Sequence, residues 1–461
     1  MKTRLKPVAL LLFSFISMLC LTQVVSADVL DAPDPANNIS QVNAGNVLKD
    51  YTQKNLNVID NTTPKGNMDR KYIERTIDEN DPGTVESYST TPDSTQQTTL
   101  QTKLYLPDGF NVTNYQHGNF QSVTLDDSGN MYFIESNGSD TNLGVIVKYN
   151  LADLNKLGAG SDPMIVWNAF NYFNPYTDEG VQHNQQYEDA YEQLKAPNVD
   201  LKKVKSEVQN LQSTTSKKDA TKANRQKLSA LENQLETDQK QIKRIKQQNP
   251  DLFKYAAVAQ AAQLSPQVDI GHGQTLSFNP QNKHLYIVED NTLTDLKTRD
   301  QNNTVLEMTT DSLKPLRQYN FKMYHGDSGN LQLHTLTFDK QGNAYWGRKN
   351  GLGYMFFYGR LDQHDVQFQA APTYFKNRGG SPNQGVSYNP ANDRLYYVTD
   401  DILTSIPTQS VRDGSFTAND IHYTAFTSKR ECESLTFDQQ GYGYQLMLWP
   451  AEILKSSTPL D

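Results

Sequence analysis

Cysteine is nearly absent from this 461-residue chain, which carries two, Cys20 and Cys432. No disulfide framework of the kind that staples small exported domains is available, so the core must hold the fold. Long hydrophobic runs are equally scarce. One lies between Val8 and Leu21, and a mean hydropathy of −0.69 excludes a bundle of membrane-spanning helices. Basic runs are confined to one segment and the formal net charge is −9, which argues against nucleic acid as a partner. A nucleophile elbow, a zinc-binding histidine pair on a helix, a phosphate loop and a spaced Cys/His cluster are also missing.

What is present begins with an address. Lys2, Arg4 and Lys6 precede the apolar run, and Val25-Ser26-Ala27 offers the small residues a signal peptidase reads. The pattern predicts a signal peptide over 1–27, cleaved before Asp28, and a secreted, extracellular protein with no transmembrane segment after its removal. Cleavage would remove three positive charges and no negative ones, taking the net charge to −12 and leaving Cys432 as the lone cysteine. Residues 28–99 are dominated by Asp, Asn, Thr, Ser, Gln and Pro. Such a composition buries too little apolar surface to offset the entropy of ordering, so a disordered polar leader is expected.

Beyond it a hairpin recurs. Five segments alternate small polar with apolar residues at the period of a strand: 121–126, 274–279, 334–339, 384–389 and 433–438. A turn follows each, then an aromatic second strand, as in Met131 to Ile134 or Leu285 to Val288. Further strands are expected at Val145 to Tyr149, Met164 to Trp167, Thr304 to Met308 and Leu316 to Phe321. Four antiparallel strands per repeat make a propeller blade. The expected fold is therefore all-β, a five-bladed β-propeller over 100–461. Residues 103–115 would supply the outer strand that closes the last blade. Residues 184–264 turn rich in Lys, Gln, Glu and Ala, with Leu201, Val204, Val208 and Leu211, then Leu228, Leu231, Leu235, Ile242 and Ile245, at helical spacing and Asp238 in one core position. They predict an α-helical hairpin, coiled-coil-like, inserted between the first and second blades.

In a propeller the first strands surround the axis, so Gln121, Gln274, His334, Gln384 and Glu433 should ring one channel mouth. The second strands end there too, bringing Glu135, Glu289, Asp290, Arg348, Asp400 and Asp401, with Arg430 nearby. Convergent polar groups in a concavity fix polar ligands such as glycans; equally, ring residues can serve only to hydrogen-bond backbone and channel water. Glu289 with Glu433 would suit acid–base work on a glycosidic bond at a separation of roughly 5 to 9.5 Å. Glu289, Asp290, Asp400 and Asp401 are hard oxygen donors suited to calcium, although their spacing matches no calcium loop, and no other cofactor is implied. His272, between two glycines, is a further ligand or base candidate or else an exposed turn residue, and Cys432 reads as a buried, inert thiol.

The run from Gln121 to Tyr132, the Val288-Glu-Asp-Asn291 strand end and Glu433-Ser-Leu-Thr-Phe437 resemble the helveticin J group of large, heat-labile bacteriocins and related extracellular proteins of lactobacilli. The likeness runs from Leu104 to Lys455 outside the helical arm; the export signal, leader and arm depart from it. The resemblance implies a secreted antibacterial or cell-surface protein of a Gram-positive bacterium and supplies no catalytic residues. With the absent motifs, it gives a first expectation of a non-enzymatic, bacteriocin-like protein binding a cell-wall or surface glycan. The alternatives are a glycoside hydrolase-like extracellular enzyme with carboxylates at the mouth, and a cell-surface adhesin.

Overall fold

A computed structural model describes residues 39–48, 55–64, 85–107, 117–138, 142–215, 221–290, 302–324 and 330–461. The expected signal peptide lies outside them. The described chain is mostly β, and each repeated hairpin opens a sheet of its own. The first sheet runs His117–Leu125, Asn130–Asn137, Leu143–Asn150 and then Gln263–Leu264 with Val268–Asp269. The second runs Leu276–Asn279, His284–Glu289, Asn303–Thr309 and Pro315–Lys322; the third Thr337–Phe338, Ala344–Asn350 and Gly353–Leu361, with Val366–Ala370 and Thr373–Phe375 on its outer side. Gly385–Asn389, Arg394–Thr399, Ile402–Pro407 and His422–Ala425 form the fourth; Glu431–Phe437, Gly443–Leu448 and Glu452–Ser456 begin the fifth.

Two repeated interactions explain why this motif builds these sheets. The aspartate that ends a first strand organises the turn. Asp126 accepts from Ser128 N and Asn130 N, both at 2.9 Å, and its other oxygen accepts from the Tyr132 hydroxyl at 2.8 Å. Asp339 does the same for Gln341 N, Asn343 N and Tyr345, and Asp438 for Gln440 N, Tyr442 N and Tyr444. The small hydroxyls between the apolar positions join neighbouring first strands. Ser277 Oγ donates to Leu336 O, Ser387 Oγ to Leu435 O and Ser434 Oγ to Val123 O, while Leu276 N donates to Ser122 Oγ. Each first strand thus abuts its two neighbours, the fifth returning to the first, and together they line a cavity of about 130 Å³.

Outside this inner ring the sheets meet on apolar layers. Tyr286 packs on Phe338 between the second and third sheets (ring centroids 4.6 Å apart), Tyr354 stacks on Tyr397 between the third and fourth (3.8 Å), and Tyr396 meets Phe437 between the fourth and fifth (4.7 Å). Ile134 and Ile287 share a cluster joining the first sheet to the second, and Phe133 shares one with Leu446 joining the fifth to the first. Second strands are covered on both faces, which is why they read as near-continuous apolar runs.

Closure comes from the N-terminal side. Thr99–Tyr105 pairs antiparallel with Glu452–Ser456, and Ser87–Ser89 adds outside it. The disordered leader expected over 28–99 needs correction. Ser40–Asn46 lies parallel on the outer edge of the second sheet and Asn57–Ile59 parallel on that of the third. An open edge offers unpaired N–H and C=O groups to an extended segment, and the leader adds a few apolar anchors, Val47 and Leu48 buried and Val42, Leu56 and Ile59 packed on the core.

The arm also sits differently. Met164 to Trp167 is not a strand: Ile165–Tyr172 is a helix with Ile165, Val166, Ala169 and Phe170 buried on one side. The insertion therefore lies inside the first sheet, between its third strand and the short strands after the arm. Its helices are Asp178–Thr215, Lys222–Gln248 and Pro250–Ala259. Thr221 caps the second, accepting from Asn224 N at 3.2 Å, and Pro250 disfavours helix at Asn249 and ends it. The two long helices pack together, with Leu201, Val204, Val208, Asp238 and Ile245 buried. No helix among the described residues is long and apolar enough to cross a membrane.

Candidate functional site

Gln274, His334 and Gln384 stand just before their first strands and Gln121 and Glu433 within theirs, toward the ends where the mouth is expected. Gln121, Gln274, Gln384 and Glu433 are buried and His334 is half-exposed. Two of them, 159 positions apart in sequence, are bonded. Gln274 Nε2 donates to Glu433 Oε2 at 3.1 Å and to Glu433 O at 3.3 Å. Burial pushes the Glu433 carboxyl well above the usual carboxylate range, the Glu431 charge pushes the same way, and the hydrogen bond from Gln274 opposes them. Gln274 lines the central cavity as well, which extends from there toward the turns at Asp127, Lys340 and Gln439. Gln121 Oε1 is buried with no hydrogen-bond partner among the described residues.

His334 Nδ1 lies 2.6 Å from Asp290 Oδ2. Asp290 is buried and placed by the chain next to it: His272 N donates to Asp290 O at 2.8 Å. This close approach requires Gly271, whose φ is +58° and where a Cβ would overlap the Asp290 backbone. Gly273, at φ +79°, brings the segment against Gln121, with 3.2 Å from its Cβ position to Gln121 Cβ. Burial lowers the pKa of His272; Asp290 and Glu431 raise it, and His334 lowers it. His272 thus belongs to the mouth, between the two glycines that position it.

Asp400, Asp401 and Arg430 are occupied by partners within the protein. Asp401, at φ +60°, accepts from Ser428 N at 2.8 Å, Ser428 Oγ at 2.5 Å and Lys429 N at 3.0 Å, and Asp400 accepts from Cys432 N at 3.0 Å. Both tie the fourth sheet to the start of the fifth instead of facing a ligand. Arg430 is buried and taken up by Glu86, Glu452, Leu448 O and Pro450 O. Glu135 is fully buried within the first sheet, and Arg348 is half-buried on the third. Glu289 ends its strand opposite Thr304; burial and then Asp269 push its carboxyl up to about 8. Glu289, Asp290, Asp400 and Asp401 do not gather: among the described residues no three His, Cys, Asp or Glu side chains are grouped to hold a metal ion. Cys432 is buried, which pushes its thiol up and keeps it unreactive.

Sequence reasoning missed Glu431 and Trp449. Trp449 follows the second strand of the fifth sheet and donates from Nε1 to Glu431 Oε2 at 2.9 Å, at the end of that sheet where Glu433 sits. Its one signal in the sequence was a tryptophan before proline in the turn of a repeat.

No family model matches the chain, and neither does any curated protein. Among solved structures, the chain is similar to a glucose dehydrogenase at 10% identity and a TM-score of 0.26, over 39% of this chain and 62% of that one. It thus spans less than two thirds of that protein. It is also similar to the soluble aldose sugar dehydrogenase of Escherichia coli (10% identity, TM-score 0.32, 82% of this chain and 100% of that one). A third is prolyl oligopeptidase B from Galerina marginata, at 9% identity, a TM-score of 0.25, and 80% and 40% coverage. Likenesses of this size carry no argument about activity, and the reading of the site rests on its own geometry.

Proposed function

We propose that the five sheets are the blades of a five-bladed propeller whose mouth binds a hydroxyl-rich polar ligand, a glycan of a bacterial envelope, without transforming it. The observation that carries this reading is the Gln274–Glu433 bond across the mouth beside the orphaned Gln121 Oε1. A buried acceptor without a donor is costly, and a ligand hydroxyl supplies the donor. A neutral Glu433 and amides suit an uncharged, hydroxyl-bearing partner. The bacteriocin-like, secreted character rests on the sequence resemblance and the export signal alone. The test is a titration of the purified chain against cell-wall preparations and defined glycans. Binding should be seen, and should disappear when Gln274, His334 and Glu433 are replaced together by alanine in a folded protein; unchanged binding would place the site elsewhere.

A second reading has its own support in the His334–Asp290 contact. A histidine oriented through Nδ1 by a carboxylate is the arrangement of a general base, and a carboxyl kept protonated by burial is that of a general acid. In a glycosidic hydrolysis Glu433 would give its proton to the leaving oxygen as the C1–O bond breaks. Water would attack C1, losing its proton to His334. Release of reducing sugar that vanishes in both Glu433→Gln and His334→Ala would promote this reading over simple binding.

A further inference from the structure

Trp449 stands apart from the other two tryptophans. Trp346 is fully buried and Trp167 half-buried against Tyr105 and Met164, whereas Trp449 is 36% exposed. It also holds a φ of +63°, in the left-handed region that bulky residues avoid. Such a conformation persists only where the surroundings impose it. The indole N–H donates to the Glu431 carboxylate, and the strand partner of Glu431, Leu448, is the residue before Trp449. Glu431 lies two positions before Glu433, and its charge acts on both Glu433 and His272. The indole is thus fixed at the rim of the mouth, its polar handle satisfied and part of its surface open to solvent.

We infer that Trp449 is a stacking platform for a pyranose ring, and that the glycan taken by this mouth is one whose sugars present a continuous apolar C–H face, as in β-1,4-linked glucose or N-acetylglucosamine. This rests on the glycan-binding reading above. A rigid aromatic face offers such a ring large contact at little entropic cost, since the indole is already held. The ring's equatorial hydroxyls then point outward, where amides such as Gln121 and Gln274 can meet them. Sugars with axial hydroxyls on that face would stack poorly.

The probes are cellotetraose and N-acetylchitotetraose, with an α-1,6-linked mannotetraose for contrast, followed by calorimetric titration and tryptophan emission. At least one β-1,4-linked probe should bind, with a change in emission, and the mannose probe should bind more weakly. Trp449→Ala should weaken binding about tenfold or more and Trp449→Phe, which keeps a ring, much less, with both variants melting as the parent does. Gln274→Ala should weaken binding yet keep the emission change at saturation. Full affinity in Trp449→Ala overturns the stacking role and leaves the mouth reading standing; failure of the parent chain to bind any glycan overturns both. Should Trp449→Ala misfold, equal affinity of the parent for the mannose and β-1,4 probes is the overturning result.

Discussion

Arg430 Nη1 lies 3.0 Å from Glu452 Oε1 and also 2.5 Å from Glu86 Oε2, joining the start of the fifth sheet to its third strand and to the segment leading into Ser87–Ser89. Arg430 and Glu452 are buried, and Tyr88 adds a hydroxyl to Glu86 at 2.6 Å. Removing one member of a buried pair leaves an uncompensated charge, a loss of about 3–5 kcal/mol. Arg430→Met should therefore lower the denaturation midpoint markedly. It should also speed proteolysis near residues 85–89, read by mass spectrometry of the early fragments. A midpoint close to the parent's would mean the fifth sheet closes without this cluster.

The hydroxyls facing the central cavity act between sheets. Ser277 and Ser387 each donate to a leucine carbonyl of the next first strand. Ser277→Ala and Ser387→Ala should each cost about 1 kcal/mol, as expected for a net hydrogen bond. Lying in different strand pairs, their effects should add in the double variant. Chemical denaturation of the three proteins checks this.

Asp238 is buried between the two long helices, with Oδ2 lacking a partner among the described residues. Filling that core position with an apolar side chain removes the desolvation cost. Asp238→Leu should stabilise the arm by about 1–3 kcal/mol, seen as slower amide exchange over 222–248. Faster exchange there would show that the carboxylate has a partner in solution.

Glu289 gives a pH dependence with a definite sign. Its folded carboxyl is raised to about 8 while the unfolded one sits near ~4.3. Between those values the folded state holds the proton and the unfolded state does not, so stability falls as pH rises through that window. Glu289→Gln should remove this slope, with a gain in melting temperature larger at pH 8 than at pH 5. An equal gain at both would contradict the assignment.

The strand alternation and the repeated turn aspartates were legible in the sequence because each is local, and the spacing of the repeats carried Gln274 and Glu433 to neighbouring positions. Met164 to Trp167 misled because a short apolar run fits strand and buried helix alike, and only its packing decides. The leader strands were invisible because edge pairing uses backbone, and the few apolar residues that anchor them, such as Val47 and Leu48, form no strand or helix period. Arg430 and Asp401 were expected at the mouth, but whether a polar group faces a ligand or its own protein depends on partners far away in sequence, such as Glu86 for Arg430. Trp449 escaped because neither its exposure nor its contact with Glu431 leaves a local sequence pattern.

The central claim is that the mouth is a ligand site and not merely a plug of polar residues, and Gln121→Met tests it most directly. The substitution keeps the volume and removes the orphaned acceptor. If the acceptor serves a ligand, the variant should melt at or above the parent's temperature and bind the β-1,4-linked probe about tenfold more weakly. A variant that binds the probe as tightly as the parent would contradict the account.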